Sequence, residues 1–155
     1  MSIRTIEELL IETRLFSDLA LQHLETIAGC AVTAHFDEGE YLFREGGAAD
    51  TFYVIRGGTV ALETYVPGRG PTPVMTLHDE DVLGWSWLFS PYRWHFDARA
   101  LEPVRALDFD GACLRDKSAA DHDLGYELMR RFAEVIVSRL QATRLQLLDV
   151  YHHDG

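Results

Sequence analysis

The sequence has almost no lysine, and this shortage limits the partners that the protein can have. A single lysine, Lys117, is among 14 basic residues, which stand against 25 acidic residues and give a formal net charge of −11. Nucleic-acid binding draws most of its affinity from basic side chains that neutralise phosphates. We therefore expect no direct nucleic-acid partner, and we interpret the acidity as that of a soluble surface.

Long apolar runs and cysteines are scarce as well. No apolar run approaches the roughly 20 residues that a membrane-spanning helix needs, so we expect no membrane partner. The opening stretch MSIRTIEELLIETRLF carries acidic residues and lacks a small-residue cleavage site, which argues against a secretory signal. Cys30 and Cys113 are too few for a disulfide framework and form no Cys-x-x-Cys motif. These absences predict a cytoplasmic protein with reduced thiols.

What is present indicates one domain over residues 1–155, built from three zones. Hydrophobic residues make up 47% of the chain, which is enough for a substantial core. Apolar residues at helical spacing predict helices within residues 1–29, strands follow over 30–110, and helices return over 111–155. The fold class is therefore mainly β with flanking helices.

The middle zone has the pattern of an antiparallel sandwich or barrel. Short apolar or alternating runs are separated by turn-forming segments such as DEGE, EGGAAD and RGG. The segment VPGRGPTPV suits the tip of a hairpin better than a phosphate-binding loop. The predicted strands are VTAHF, EYLF, TFYVI, TVALETYV, PVMTL, DARAL and VRALDF.

The last zone predicts one long helix, from about Asp121 to Tyr151, with two apolar faces. A stripe of Leu128, Phe132 and Val135 is expected to pack on the barrel. A second set, here called the seam, alternates spacings of four and three, as in a coiled coil, and favours a homodimer. The alternative is a single wide amphipathic face on a monomer. The seam residues are Met129, Ala133, Ile136, Leu140, Thr143, Leu147 and Val150.

One segment, FDEGEYLFREGGAADTFYVIRGGTVAL, resembles the first half of the cyclic-nucleotide-binding domain of catabolite-activator-type (Crp/Fnr-like) regulators. The matching positions are Gly39-Glu40, Glu45-Gly46, Phe52 to Ile55 and Gly57-Gly58. The resemblance implies a double-stranded β-helix (jelly-roll) barrel with a long C-terminal dimerisation helix. Related regulators continue into a helix-turn-helix domain that this sequence lacks. We therefore expect any transcriptional role to need a partner or a longer parent protein.

The resemblance places the family's phosphate-binding cassette at DVLGWSWLFSPYRWHFDARA, with two exchanges. Gly84 matches the cassette glycine, but Trp85 stands where the family has a ribose-binding glutamate. Trp94 stands at the phosphate-binding arginine in an ungapped register, with Arg93 one residue earlier. An indole N–H only donates hydrogen bonds, so Trp85 cannot accept one from a ribose hydroxyl. We therefore expect cyclic AMP to bind weakly or not at all.

The resemblance also marks the long helix as a source of ligand contacts. Thr143 matches a threonine that contacts adenine in cyclic-AMP-responsive members, and Arg144 replaces a serine contributed across the dimer. The alternative for Thr143 is a hydroxyl bonded to its own helix. Ser86 is expected in the first turn of a short cassette helix. The candidate ligand-binding residues are Gly84, Trp85, Ser86, Trp87, Arg93, Trp94, His95, Thr143 and Arg144.

Two functions remain open at this point, and neither is enzymatic. Gly84-Trp85-Ser86-Trp87 lacks the second glycine of a nucleophile elbow, and the seven histidines show no spacing typical of a metal site. The first function is a sensor domain that binds a nucleotide-like or other small molecule and signals through its dimer helix. The second is a ligand-free dimerisation or protein-interaction module with a tryptophan-filled pocket.

Overall fold

The computed structural model describes residues 5–154, excepting the side chains of 150–154. Two four-stranded antiparallel sheets form the barrel, with strand orders β1-β8-β3-β6 and β2-β7-β4-β5. All seven predicted strands are confirmed, and Val82–Leu83 is a short further strand that the sequence did not suggest. The strands are β1 (Ala31–Phe36), β2 (Tyr41–Phe43), β3 (Thr51–Gly57), β4 (Val60–Val66), β5 (Gly70–Leu77), β6 (Val82–Leu83), β7 (Asp97–Ala100) and β8 (Val104–Asp110).

Helices flank the barrel at both ends of the chain, as expected. The long helix is confirmed, and a shorter helix precedes it directly after β8. Asp110 caps that shorter helix, because its carboxylate accepts a hydrogen bond from the Cys113 amide. The α-helices are α1 (Ile6–Glu12), α2 (Leu21–Ala28), α3 (Gly111–Ala120) and α4 (His122–Asp154), with 3₁₀ turns at Arg14–Phe16 and Ser86–Leu88.

Two hydrophobic clusters hold these layers together. One lies inside the barrel and takes residues from seven of the eight strands, among them Ile55, Val60 and Leu83. The other lies between the β1–β8–β3 face and the helices, where Phe52 stacks on Phe109 and meets Phe132 of α4 edge-on. The predicted stripe on α4 therefore packs on the barrel as expected.

The barrel corners depend on glycine, and Gly58 is the clearest case. Its φ is +102°, a region that favours glycine, and an added Cβ would lie 2.5 Å from the carbonyl oxygen of Pro103. The Gly57-Gly58 pair of the family pattern thus marks a real constraint of the backbone, at the turn between β3 and β4.

The expectation of reduced thiols is wrong in this structure, because Cys30 and Cys113 form a disulfide. Residue 30 directly precedes β1 and residue 113 lies in the first turn of α3. Since β1 pairs with β8, with Ala31 opposite Phe109, the strand pairing brings the two cysteines together across 83 residues of sequence. Spacing along the chain could not reveal this neighbourhood.

Most of the seam on α4 is left uncovered. Leu140 is 68% exposed, Met129 and Leu147 are about half exposed, and Ile136 is half-buried. The side chain of Val150, the last predicted seam residue, lies outside the described part of the structure. Within the described residues, no helix combines the length and hydropathy required to cross a bilayer.

Candidate functional site

The cassette connects β6 to β7 and lies beside Arg139 of α4. Gly84 follows β6 directly, with φ at +99°. The 3₁₀ turn Ser86–Leu88 comes next, and Ser86 is its first residue, as expected. A loop then leads to Trp94, where the chain approaches β7.

Trp94, which the resemblance aligns with the family's phosphate-binding arginine, is a buried side chain. Its ring stacks on Phe43, with centroids 3.8 Å apart and planes 9° from parallel, and the side chain is only 5% exposed. An added Cβ at Gly84 would lie 2.7 Å from the Trp94 ring. The ring is thus seated directly on the face that the cassette glycine leaves open.

Arg93 does not line the small cavity beside Gly84 and Trp94. Its side chain is exposed and Nη1 donates to the carbonyl of Gly46, 3.3 Å away. Its backbone forms an isolated bridge with Ala48. The register with Trp94 facing inward is therefore the one that the fold adopts. His95 is exposed and lines this small cavity beside Trp94.

The other two tryptophans have different environments, so the three do not form one cluster. Trp87 is 1% exposed and packs in the core with Phe52 and Phe132. The structure therefore separates Trp87 from the predicted ligand site. Trp85 is only half-buried and stands between two cavities, both of which it lines.

The first of these cavities, here called the cassette cavity, is small. It lies beside Gly84, Ser86 and Trp94 and has a volume of about 40 Å³. Sites for small molecules commonly occupy roughly 300–1,000 Å³. The cassette cavity is therefore well below this range.

The second cavity, here called the helix groove, lies between the β4–β5 side of the barrel and α4. Its volume is about 240 Å³ and its walls are almost entirely carbon. The barrel, the cassette and α4 all contribute to it, so movement of α4 would change its width. Apolar residues of its walls include Leu62, Met75, Trp85, Phe96, Ile136 and Leu140.

Arg139 of α4 lines both the cassette cavity and the helix groove. Its Nη2 donates to the carbonyl of Val82 in β6, which ties α4 to the strand that leads into the cassette. Its Nη1 is buried without a hydrogen-bond partner among the described residues. Burial lowers the pKa of this guanidinium, and the charge of Asp81 opposes that effect only in part.

The two candidate residues further along α4 lie at different distances from the cavities. Thr143 lines the helix groove, and its hydroxyl donates to the carbonyl of Arg139 at 2.9 Å. This hydrogen bond to its own helix is the alternative to a ligand contact that the sequence left open for Thr143. Arg144 is exposed and lines neither the cassette cavity nor the helix groove.

Two buried carboxylates fix the strands around the cassette. Glu63, 1% exposed, accepts two hydrogen bonds from Arg99, at 3.0 and 2.7 Å, and this pairing raises the pKa of Arg99. Asp97 accepts from the Glu45 amide at 2.7 Å and from Arg44 at 3.3 Å. Arg99 is therefore already paired with a protein carboxylate, whereas Arg139, which lines both cavities, has no ion pair within the described residues.

Sequence reasoning missed three residues that shape the site. Phe43 supports Trp94, Phe96 lines both cavities, and Arg139 stands between them. Phe43 and Phe96 lie within predicted strand and cassette segments, but no pattern gave their direction. Arg139 follows the seam residue Ile136 by three positions and lies on the helix face beside the barrel-facing stripe. A charged residue on that otherwise apolar face was the one signal in the sequence that could have pointed to it.

Within the described residues, no group of three or more His, Cys, Asp or Glu side chains could hold a metal ion.

Comparisons with known proteins agree with this architecture. The sequence profile of the cyclic nucleotide-binding domain matches residues 33–121. A solved structure of a putative cyclic nucleotide-binding protein from Geobacter metallireducens GS-15 is 30% identical, with a TM-score of 0.78, over 89% of this chain and 99% of that one. The sensor domain of the transcriptional regulator DNR from Pseudomonas aeruginosa, 18% identical, shares the fold at a TM-score of 0.69 over 87% of this chain and 91% of that one.

Among curated proteins, the chain is similar to a CRP-like cAMP-activated global transcriptional regulator from Mycobacterium tuberculosis. The two are 24% identical over 149 residues, which is 96% of this chain and 65% of the relative. The chain thus spans slightly less than two thirds of that relative's length.

Proposed function

We propose that this chain, which belongs to the cyclic nucleotide-binding domain family, is a regulatory domain that acts through a homodimer formed by α4. We propose further that the usual cyclic-nucleotide position is closed and that the role is regulatory rather than catalytic. A similar protein from Mycobacterium tuberculosis is a transcriptional regulator, which supports a regulatory role.

The observation that carries the proposal is the exposed seam of α4. Met129, Leu140 and Leu147 are large apolar side chains on one face of a 33-residue helix, and each is about half exposed or more. The neighbouring stripe, with Leu128 and Phe132, is already buried against the barrel. A face that repeats every three and four residues and is left open suits the same face of a second copy.

A substitution in the seam tests the dimer. In Leu140→Glu a charge stands at the centre of the seam, and burying it unpaired in the interface is costly. We expect the wild type to be a dimer at micromolar concentration and Leu140→Glu to be a monomer, measured by light scattering. Gln141→Glu is the matched control, because it adds the same charge at the neighbouring exposed position outside the seam. A monomeric wild type would overturn the proposal.

The closed cassette cavity supports the statement about the ligand. Cyclic AMP and cyclic GMP should bind no tighter than in the high micromolar range, because Trp94 fills the space and Trp85 cannot accept a ribose hydroxyl. Isothermal calorimetry on the folded dimer measures this directly. A submicromolar dissociation constant for either nucleotide would contradict a closed pocket and would require Trp94 to move.

A ligand-free module is the second candidate, and the closure by Trp94 is the observation that favours it. The two candidates differ at the helix groove, which stays open beside α4. If nothing enters the groove, the dimer is constitutive. If a small molecule enters, it contacts the helix that forms the dimer and can shift the balance between dimer arrangements.

A further inference from the structure

The helix groove is suited to a ligand other than a nucleotide. Its volume of about 240 Å³ lies below the roughly 300 Å³ at which pockets for drug-sized ligands begin. Its walls offer apolar side chains from β4, β5 and α4 and one half-buried indole, Trp85. The Thr143 hydroxyl is engaged with its own helix. A ligand of many hydroxyl and phosphate groups would therefore lose its water contacts here and gain few in return.

Arg139 gives the groove one strong polar preference. Its side chain lines the groove, Nη2 donates to the carbonyl of Val82, and Nη1 is buried without an acceptor among the described residues. A buried donor without a partner is costly, and it is more costly on a charged group. A planar guanidinium pairs best with a carboxylate, which can accept two parallel hydrogen bonds.

The acidic groups near Arg139 do not meet this need. Glu80 and Glu134 line a further cavity together with Arg139, but Glu80 accepts from the Arg14 amide and Glu134 pairs with Arg130. Asp81 acts on Arg139 only at a distance, and its carboxylate accepts from the His78 amide at 2.8 Å. Glu63, in the strand that carries Leu62, is paired with Arg99. The charge of Arg139 is therefore left without a paired carboxylate, beside an apolar cavity large enough for a small organic molecule.

We infer that the helix groove binds a small carboxylic acid with an apolar body, whose carboxylate pairs with Arg139 and whose body lies among Trp85, Met75 and Leu140. The inference rests on the proposed regulatory function and names its ligand class. Leu140 and Ile136 belong to both the groove and the seam. The bound acid therefore touches the same side chains that meet the second copy, which links binding to the dimer.

Matched pairs of small molecules test the charge and the apolar body separately. The probes are phenylacetate with phenylacetamide, and octanoate with octanamide, measured by calorimetry and by thermal shift on the full chain at neutral pH. Each acid should bind the wild type at least about tenfold more tightly than its amide, because hydrogen bonds between ionised groups are stronger than neutral ones. Equal affinity of acid and amide would overturn the pairing with Arg139, and no binding of either acid at millimolar concentration would overturn the site.

Three variants assign the effect to the groove. Arg139→Gln should abolish the preference for the acid. Arg130 is an exposed arginine of the same helix, paired with Glu127 and Glu134, and Arg130→Gln should keep the preference. Val74→Phe should fill the groove and weaken acid and amide alike. If Arg139→Gln does not fold, Arg139→Lys keeps the charge and should keep a reduced preference for the acid. A preference unchanged in Arg139→Gln would contradict the inference.

Light scattering on the same samples separates this inference from the proposed function. A dimeric wild type that binds none of the acids rejects the ligand class and leaves the dimer intact. A monomeric wild type rejects the proposed function itself.

Discussion

At the scale of single residues, the cassette depends on direct packing between Gly84 and the indole ring of Trp94. Gly84 lacks the Cβ that would press on Trp94, and the Trp94 ring occupies the space beside it. Phe43 supports the ring from its other face. Where the resemblance implies a phosphate-binding arginine, this chain therefore has a buried ring that packs against Phe43.

This pairing predicts a non-additive effect on stability. Trp94→Ala removes a buried aromatic ring and should cost about 3–5 kcal/mol in the free energy of unfolding. Gly84→Ala crowds the ring and should cost about 1–3 kcal/mol, partly through its positive φ. Because the crowding vanishes without the ring, the double variant should lose at least about 0.5 kcal/mol less than the sum. Urea denaturation of the four proteins measures the coupling, and strictly additive losses would contradict direct contact.

At the scale of elements, α4 is held by arginines at two points and α3 by a disulfide. Arg131 donates to the carbonyls of Leu15 and Ser17, and Arg139 donates to Val82. These bonds connect the long helix to the N-terminal segment and to the strand before the cassette. A change at the cassette can therefore reach the seam through contacts with β6 rather than through the helix end.

The disulfide predicts a redox-dependent stability. Joining Cys30 to Cys113 closes a loop that spans nearly the whole barrel, and disulfides typically add about 2–4 kcal/mol by restricting the unfolded chain. We expect urea denaturation in dithiothreitol to give a free energy of unfolding lower by about that amount. The double variant Cys30→Ser/Cys113→Ser should have the lower stability with or without reductant. An oxidised and a fully reduced wild type of equal stability would contradict the prediction.

The elements and the residues differ in how well the sequence predicted them. Strand runs and the seam follow from periodicity, since alternation and the three-four repeat are properties of neighbours along the chain. The corner at Gly58 was also readable, because glycine is required there. The disulfide and Arg139 were not, since each depends on elements far apart in sequence that the barrel brings together. The direction of the Trp94 side chain depends on the register of the loop. The sequence resemblance did not decide whether Trp94 or Arg93 faces inward.

At the scale of the whole molecule, the acidic composition and the apolar seam act in opposite directions on assembly. Two chains that each carry a net charge of −11 repel one another as they approach. The exposed seam residues, Met129, Leu140 and Leu147, are uncharged and attract through burial of apolar surface. The proposed dimer would therefore depend on short-range apolar contact that must overcome a long-range repulsion.

This balance predicts that salt strengthens the dimer. Raising sodium chloride from 0.01 to 0.1 M shortens the Debye length from about 30 to about 10 Å, which screens the repulsion between the two acidic bodies and leaves the apolar contact unchanged. The dissociation constant of the dimer, measured by analytical ultracentrifugation, should fall several-fold over this range. Leu140→Glu should stay monomeric at both concentrations, because its defect lies within the seam. A dimer that weakens as salt rises would mean that ion pairs hold it, and the seam would then not be the main source of its affinity.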